Sequence, residues 1–340
     1  MGVELRPVNP ADDAAIDAYH SICAAVRAHD LPDLPPVHRA DVAAGVRHPL
    51  PSRLYQYFVV HDRGVPVGAV QYSRPMAENL HLAMLELSVH PGHRRRGIGR
   101  EAFAAVAELA REHGRSLLMG EYCVPLPSGP ARSEAPAAFA AAVGAQPALP
   151  EVRRRLDLTT VDSDDWRVRY DEALRLSKGY STVWWSGPTP EEFVADVAYL
   201  DGRLVQDAPM GELHYEPEKV DAERIRATDE VFRRKRQSLY HCGARDDQTG
   251  RLVAWSVLFF SVGESSQAWQ GITIVHPDHR GHRLGLLVKL ENLIRTREVE
   301  TRLRYVDTWN AAENAHMIAI NELIGFRPVD GWVSWQCDVA

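Results

Sequence analysis

Val89-His-Pro-Gly-His-Arg-Arg-Arg-Gly-Ile-Gly99 is echoed later in the chain by Val275-His-Pro-Asp-His-Arg-Gly-His-Arg-Leu-Gly285, so Val-His-Pro-x-His-Arg occurs twice. Each copy follows a run of alternating apolar residues and precedes an amphipathic segment, which is the pattern of strand, turn and helix. A glycine-rich turn that feeds a helix presents several backbone N–H groups at the positive end of the helix dipole. That end is a ready site for a phosphate or pyrophosphate. Arginines beside the turn add charge-assisted hydrogen bonds. The candidates are Arg94, Arg95, Arg96, Gly97, Ile98 and Gly99 in the first copy, and Arg280, Gly281, His282, Arg283, Leu284 and Gly285 in the second. The chain has no G-x-x-x-x-G-K-[ST] and no G-x-G-x-x-G after its first strand, which argues against a P-loop or a dinucleotide fold.

The repeat divides the 340 residues into two units, 1–160 and 161–340, with the boundary in the polar stretch 160–164. In the first unit the patterning predicts strands over 3–7, 55–62, 65–73, 82–89, 116–124 and 152–158, with helices over 11–28, 97–113 and 133–143. In the second it predicts strands over 181–185, 238–245, 252–261, 269–275, 305–308 and 333–338. Helices are expected over 190–204, 217–235, 284–297 and 314–324. The proline-rich stretches 31–36 and 125–136 read as loops.

A composition that is 45% hydrophobic and 25% charged suits a globular chain with a buried core, and the net charge of −7 disfavours nucleic acid as a partner. The four cysteines are far apart, with neither C-x-x-C nor zinc spacing. His276, His279 and His282 stand around a turn without carboxylate support, so no metal is expected. No apolar run is long enough for a membrane span, and the first residues lack the apolar core of a signal peptide. The expected compartment is the cytosol.

The two motifs resemble that of the GNAT superfamily of acyl-CoA N-acyltransferases, roughly Val-x-Pro-x-x-Arg/Gln-x-x-Gly-x-Gly/Ala. Residues 89–99 match it fully; 275–285 match except that Arg283 stands where the first glycine belongs. Asn314 and Gly325-Phe326, with Asn310, fit the family's second half. The resemblance implies an α/β (α+β) chain of two tandem GNAT folds. Each would be a mixed, mostly antiparallel sheet flanked by helices and splayed between its fourth and fifth strands. Tandem chains of actinobacterial type, mycothiol synthases among them, are similar in layout.

By the same resemblance acetyl-CoA is the co-substrate. Its pantetheine lies in the splay along Leu87 and Val89, or Ile274 and Val275, and its pyrophosphate rests on the loop. Glu86 stands where many members carry a carboxylate base; the corresponding residue of the second unit is Ile272. The family's acid tyrosine falls on Ala140 in the first unit and Asn321 in the second, so Tyr122, Tyr305 or water is left to supply the proton. The acidic residues Asp207, Glu212 and Glu216 are candidates for an acceptor lip. The expected acceptor is a primary amine on a small molecule and the expected assembly a monomer or homodimer, with neither membrane nor nucleic acid as partner. A mycothiol synthase-like enzyme and a non-catalytic acyl-CoA sensor stay open beside the general N-acetyltransferase, as does the choice of unit that binds acyl-CoA.

Overall fold

The computed structural model describes residues 2–339. They form two compact units that are not contiguous in sequence. Unit one comprises residues up to Glu151, the short arm Met210–Glu216 and the chain from Asp330 onward; unit two comprises Val152–Pro209 and Pro217–Val329.

Unit one begins with β1 (Glu4–Pro7), α1 (Asp13–Asp30), α2 (Arg39–Arg47) and the hairpin of β2 (Arg53–Asp62) and β3 (Val65–Pro75). It continues with β4 (Leu82–Val89), α3 (Ile98–Glu112), β5 (Leu117–Val124) and α4 (Ala135–Ala142). β6 (Gln146–Asp157) carries the chain into unit two, which has α5 (Ser163–Leu176), β7 (Tyr180–Ser186), α6 (Val194–Gly202), α7 (Leu204–Asp207) and α8 (Ala222–Lys235). There follow β8 (Leu239–Asp246), β9 (Leu252–Phe259), β10 (Gln267–Val275), α9 (Leu284–Val299), β11 (Tyr305–Ala311), α10 (Ala315–Ile324) and β12 (Arg327–Asp338). The strand order is β1-β2-β3-β4-β5-β12 in unit one and β6-β11-β10-β9-β8-β7 in unit two.

The closing strand of unit one is therefore residues 331–338, antiparallel to β5, instead of the nearer stretch 152–158. Both stretches carry the same alternating pattern at the same point of the repeat. Local periodicity makes each a strand without saying which copy it completes.

The splay expected from the family is present in both units. β4 and β5 run parallel and pair only at Leu82↔Leu117, Ala83↔Leu118 and Met84↔Met119. β10 and β11 pair only at Gln267↔Tyr305, Ala268↔Val306 and Trp269↔Asp307. Beyond Met84 and Trp269 the strands part, and each loses ladder partners on the side facing the gap.

α3 owes its amphipathic face to Ile98, Ala102, Phe103, Val106 and Ala110, all buried at helical spacing. They pack on Val70, Leu85 and Leu118, with Trp335 of β12 beside them. Full burial of one such aliphatic side chain contributes roughly 1.5–3 kcal/mol, and Phe103→Ala would cost about 3–5 kcal/mol. The opposite face of this sheet is covered by α1 through Ile16, Tyr19 and Ile22, against Val59 and Ala69.

Helices α2 and α5 escape the sequence patterning. α5 falls where a polar boundary is expected: Asp162 caps it, two more aspartates fill its first turn, and only Trp166 and Ala173 are buried. Trp166 Nε1 donates to the Ile324 carbonyl at 2.8 Å, which anchors the helix to α10. α2 is short and buries only Ala43 and Val46. Among the described residues no helix is long and apolar enough to cross a membrane.

Candidate active site

The two glycine-rich loops share one backbone. In the first, Arg95 and Gly97 have positive φ, at 64° and 86°; in the second, Gly281 and Arg283 do, at 87° and 59°. Glycine has exchanged places with arginine between two left-handed positions, so Arg283 keeps the turn at the cost of strain. The first N–H groups of α3 and α9 have no intrahelical acceptor and face the loop. Gly99 and Gly285 let the helix start lie close to its neighbours: a Cβ on Gly99 would meet Phe139 at 3.1 Å, and one on Gly285 would meet Val275 and Ile320 at 3.6 Å. Ile98 and Leu284 are buried anchors.

The first arginine of each motif is a clamp. Arg94 Nε donates to the Val89 carbonyl at 3.0 Å, and its terminal nitrogens hold Asp30 at 2.8 and 2.6 Å. Burial raises the Asp30 carboxyl, but the Arg94 hydrogen bonds outweigh it and hold the group below its usual value. Arg280 repeats the device, with Nε 3.4 Å from the Val275 carbonyl and an ion pair to Asp207 at 2.9 Å. Asp207 is also gripped by Arg203, so it braces the loop instead of forming an acceptor lip. Glu212 and Glu216 lie on the arm of unit one, where Gln336 Nε2 donates to the Glu212 carbonyl and the Glu216 amide donates to Asn79.

Arg95, Arg96, His282 and Arg283 are exposed around the loops. Arg96 donates to the Gly92 carbonyl at 3.1 Å, and the His282 carbonyl accepts from Ser177. His90 and His276 each accept from the amide two residues on, a turn-forming role. Among the described residues no group of three or more His, Cys, Asp or Glu is placed to hold a metal ion.

On the α1 side of unit one, register and alternation bring Tyr55 and Tyr57 of β2, Gln71 of β3, Glu86 of β4 and Glu121 of β5 to one face. Gln71 Nε2 donates to Glu86 at 2.7 Å. Both residues are exposed at the sheet face, while the protein around their carboxyl groups withholds part of their hydration. Burial pushes the Glu86 carboxyl up, against Arg27 and Gln71, which lower it. Glu121 is pushed up to about 7, chiefly by burial and then by the charges of Glu86 and Glu151. The same recess raises Cys23 to about 12, and it raises Tyr57. Glu121 escaped sequence reading; the signal was its parity with Met119, which places it on the face of Glu86.

Tyr122 lies on the other face, packed on the α3 core, and the structure does not bring it to Glu86. Leu87 packs on that core as well.

In unit two the face matching the Glu86 recess is filled. Ile272 and Ile274 pack there with Trp185, Phe193, Trp255 and Val257. Asn314 caps α10, accepting from the Met317 amide at 3.2 Å. Asn321 is fully buried, its Oδ1 accepting from Lys289 and its Nδ2 donating to Asn310, each at 2.5 Å.

Residues 25–120, in unit one, match the model of the acetyltransferase (GNAT) family. The chain is similar to a solved tandem GNAT protein from the clavulanic acid biosynthesis pathway, with 33% identity, 99% of each chain covered and a TM-score of 0.84. A GCN5-related N-acetyltransferase from Sphaerobacter thermophilus is 15% identical over 99% of this chain and 96% of its own, with a TM-score of 0.64. A putative acetyltransferase from Pyrococcus horikoshii is 13% identical over 99% and 90%, with a TM-score of 0.58. No curated protein matches the chain. With a third of its residues identical along its whole length to a tandem GNAT protein, the chain belongs to the GNAT acetyltransferase family.

Proposed function

We propose that the protein is an acetyl-CoA-dependent N-acetyltransferase in which unit one carries acetyl transfer to a primary amine of a small molecule. The observation that carries this reading is the recess beside the β4–β5 splay. It holds Glu86 and Glu121 in unit one, where unit two has packed hydrocarbon around Ile272.

The loop of unit one supplies helix N–H groups and Arg95 and Arg96 for the pyrophosphate. The splay leaves strand N–H groups of β4 free for carbonyl oxygens. An ammonium entering the recess meets two carboxylates and gives up a proton there. Glu121, lifted to about 7, is suited to accept it near neutral pH. The freed amine lone pair forms the C–N bond, the C–S bond breaks, the second nitrogen proton passes through water to the departing thiolate, and Glu121 returns the first to solvent. Gln71 holds Glu86 in place beside this exchange by its hydrogen bond, and the charge of Arg27 favours its ionised form.

The test is acetyl-CoA with a panel of mono- and polyamines, followed by free thiol release and product mass. Turnover that Glu86→Gln and Glu121→Gln each lower at least tenfold supports the reading. Acetyl-CoA binding without turnover on any amine would instead support a sensor.

A further inference from the structure

The interior of unit two holds a polar chain that the transfer chemistry of unit one does not use. Lys289 lies in the middle of α9 with no exposed surface. Its ammonium donates to Asn321 Oδ1, Asn321 Nδ2 donates to Asn310 Oδ1, and the Phe326 ring lies 4.9 Å from Nζ. Asn310 is only partly buried and stands on β11 past its last pairing with β10, at the open splay.

Counted from Val89 and Val275, Lys289 corresponds to Phe103 of α3. Asn321 corresponds to Ala140, and strand register sets Asn310 against Tyr122. The same fold in unit one stands with Phe, Ala and Tyr at these places, so folding does not call for the chain. A buried ammonium without a carboxylate is among the costliest groups to keep. Burial alone pulls Lys289 down to about 7.

The chain has a direction. An ammonium only donates, so Asn321 must turn its oxygen to Lys289 and its nitrogen to Asn310. Asn310 must then answer with its oxygen, which leaves its Nδ2 hydrogens for the splay.

We propose that Lys289, acting through Asn321, is a positioning residue that fixes Asn310 as a hydrogen-bond donor to a carbonyl of an acyl-CoA bound in the splay of unit two. Unit two is thereby a second acyl-CoA site, polar where unit one is apolar. The proposal rests on the acyl-CoA reading of the family.

The experiment uses the full chain carrying Gly97→Glu, which blocks the first loop, at pH 6. Acetyl-CoA is titrated calorimetrically into this protein and into its Lys289→Met, Asn310→Ala and doubly substituted forms, each checked by thermal melting. The expected result is one site, weakened about tenfold by either change and no further by both. Additive losses, or undiminished affinity in a folded Lys289→Met form, would overturn the proposal. If Lys289→Met does not fold, asparagine-labelled Gly97→Glu protein decides: the Asn310 side-chain amide resonance, identified by Asn310→Ala, must move when acetyl-CoA binds. An unmoved resonance overturns the proposal. Acetyl-CoA binding to the unsubstituted chain but not to Gly97→Glu also overturns it, whereas no binding to either removes the family reading itself.

Discussion

Gly97 and Arg283 stand at the same turn of the two loops and share the left-handed conformation, at φ 86° and 59°. One residue adopts it freely and the other under strain. Arg283→Gly should therefore stabilise the protein by about 0.5–1 kcal/mol, and Gly97→Ala should destabilise it by about 1 kcal/mol. Urea denaturation of the two variants measures both; a destabilised Arg283→Gly would show that the arginine side chain repays its strain.

The repeat was legible because Val-His-Pro-x-His-Arg combines rare residues at fixed spacing. The glycines and arginines of the loop are forced by local geometry, and such residues advertise themselves. What stayed hidden depends on distant partners. The 331–338 strand could join either copy, because alternation says nothing of its neighbour. Asp207 reads as a free carboxylate until the fold sets it against Arg280 and Arg203. Glu121 gains its character only when the register of β4 and β5 puts it on the face of Glu86. Lys289 looks like one polar residue in an apolar helix until Asn321 arrives from α10.

Glu121 makes the rate depend on pH. Its folded value, about 7, is above the ordinary 4.5, and it acts deprotonated. Acetyl transfer, measured as kcat/KM with a saturating amine panel member, should rise through about pH 7, and Glu121→Gln should lose that limb. The stability sign follows from linkage. The folded state holds this proton more tightly than the unfolded chain, so stability falls as pH rises from 4.5 toward 7. Glu121→Gln should remove that fall in denaturation midpoints taken at pH 5 and pH 8.

Lys289 has the opposite linkage. Its folded value is pulled from 10.5 to about 7, so between these limits the unfolded chain binds the extra proton. Wild-type stability should rise with pH across that window. Lys289→Met should flatten the dependence and be more stable at pH 7 by a few kcal/mol, the order of magnitude set by ~1.4 kcal/mol per pH unit. Thermal melts at pH 7 and pH 9.5 test this. A less stable variant would mean that the ammonium contributes more through its contacts than its burial costs.

The Arg94–Asp30 clamp ties the loop to the end of α1. Asp30→Asn removes the charge while keeping the shape, and leaves a half-buried guanidinium without its anion. A loss of about 1.5–3 kcal/mol in stability is expected, with acetyl-CoA affinity falling several-fold as the loop loosens. Calorimetric titration and denaturation of the same variant measure both; unchanged affinity would separate the clamp from the binding loop.

Acetyl transfer in the two loop variants bears most directly on the assignment of catalysis to unit one. Gly97→Glu sets a carboxylate on the exposed turn where the pyrophosphate would rest in unit one, and Arg283→Glu sets one at the matching turn of unit two. With an amine that the wild-type protein acetylates, Gly97→Glu should abolish thiol release while Arg283→Glu leaves at least half of it. Turnover that survives Gly97→Glu and disappears in Arg283→Glu would place the chemistry in unit two and contradict the assignment.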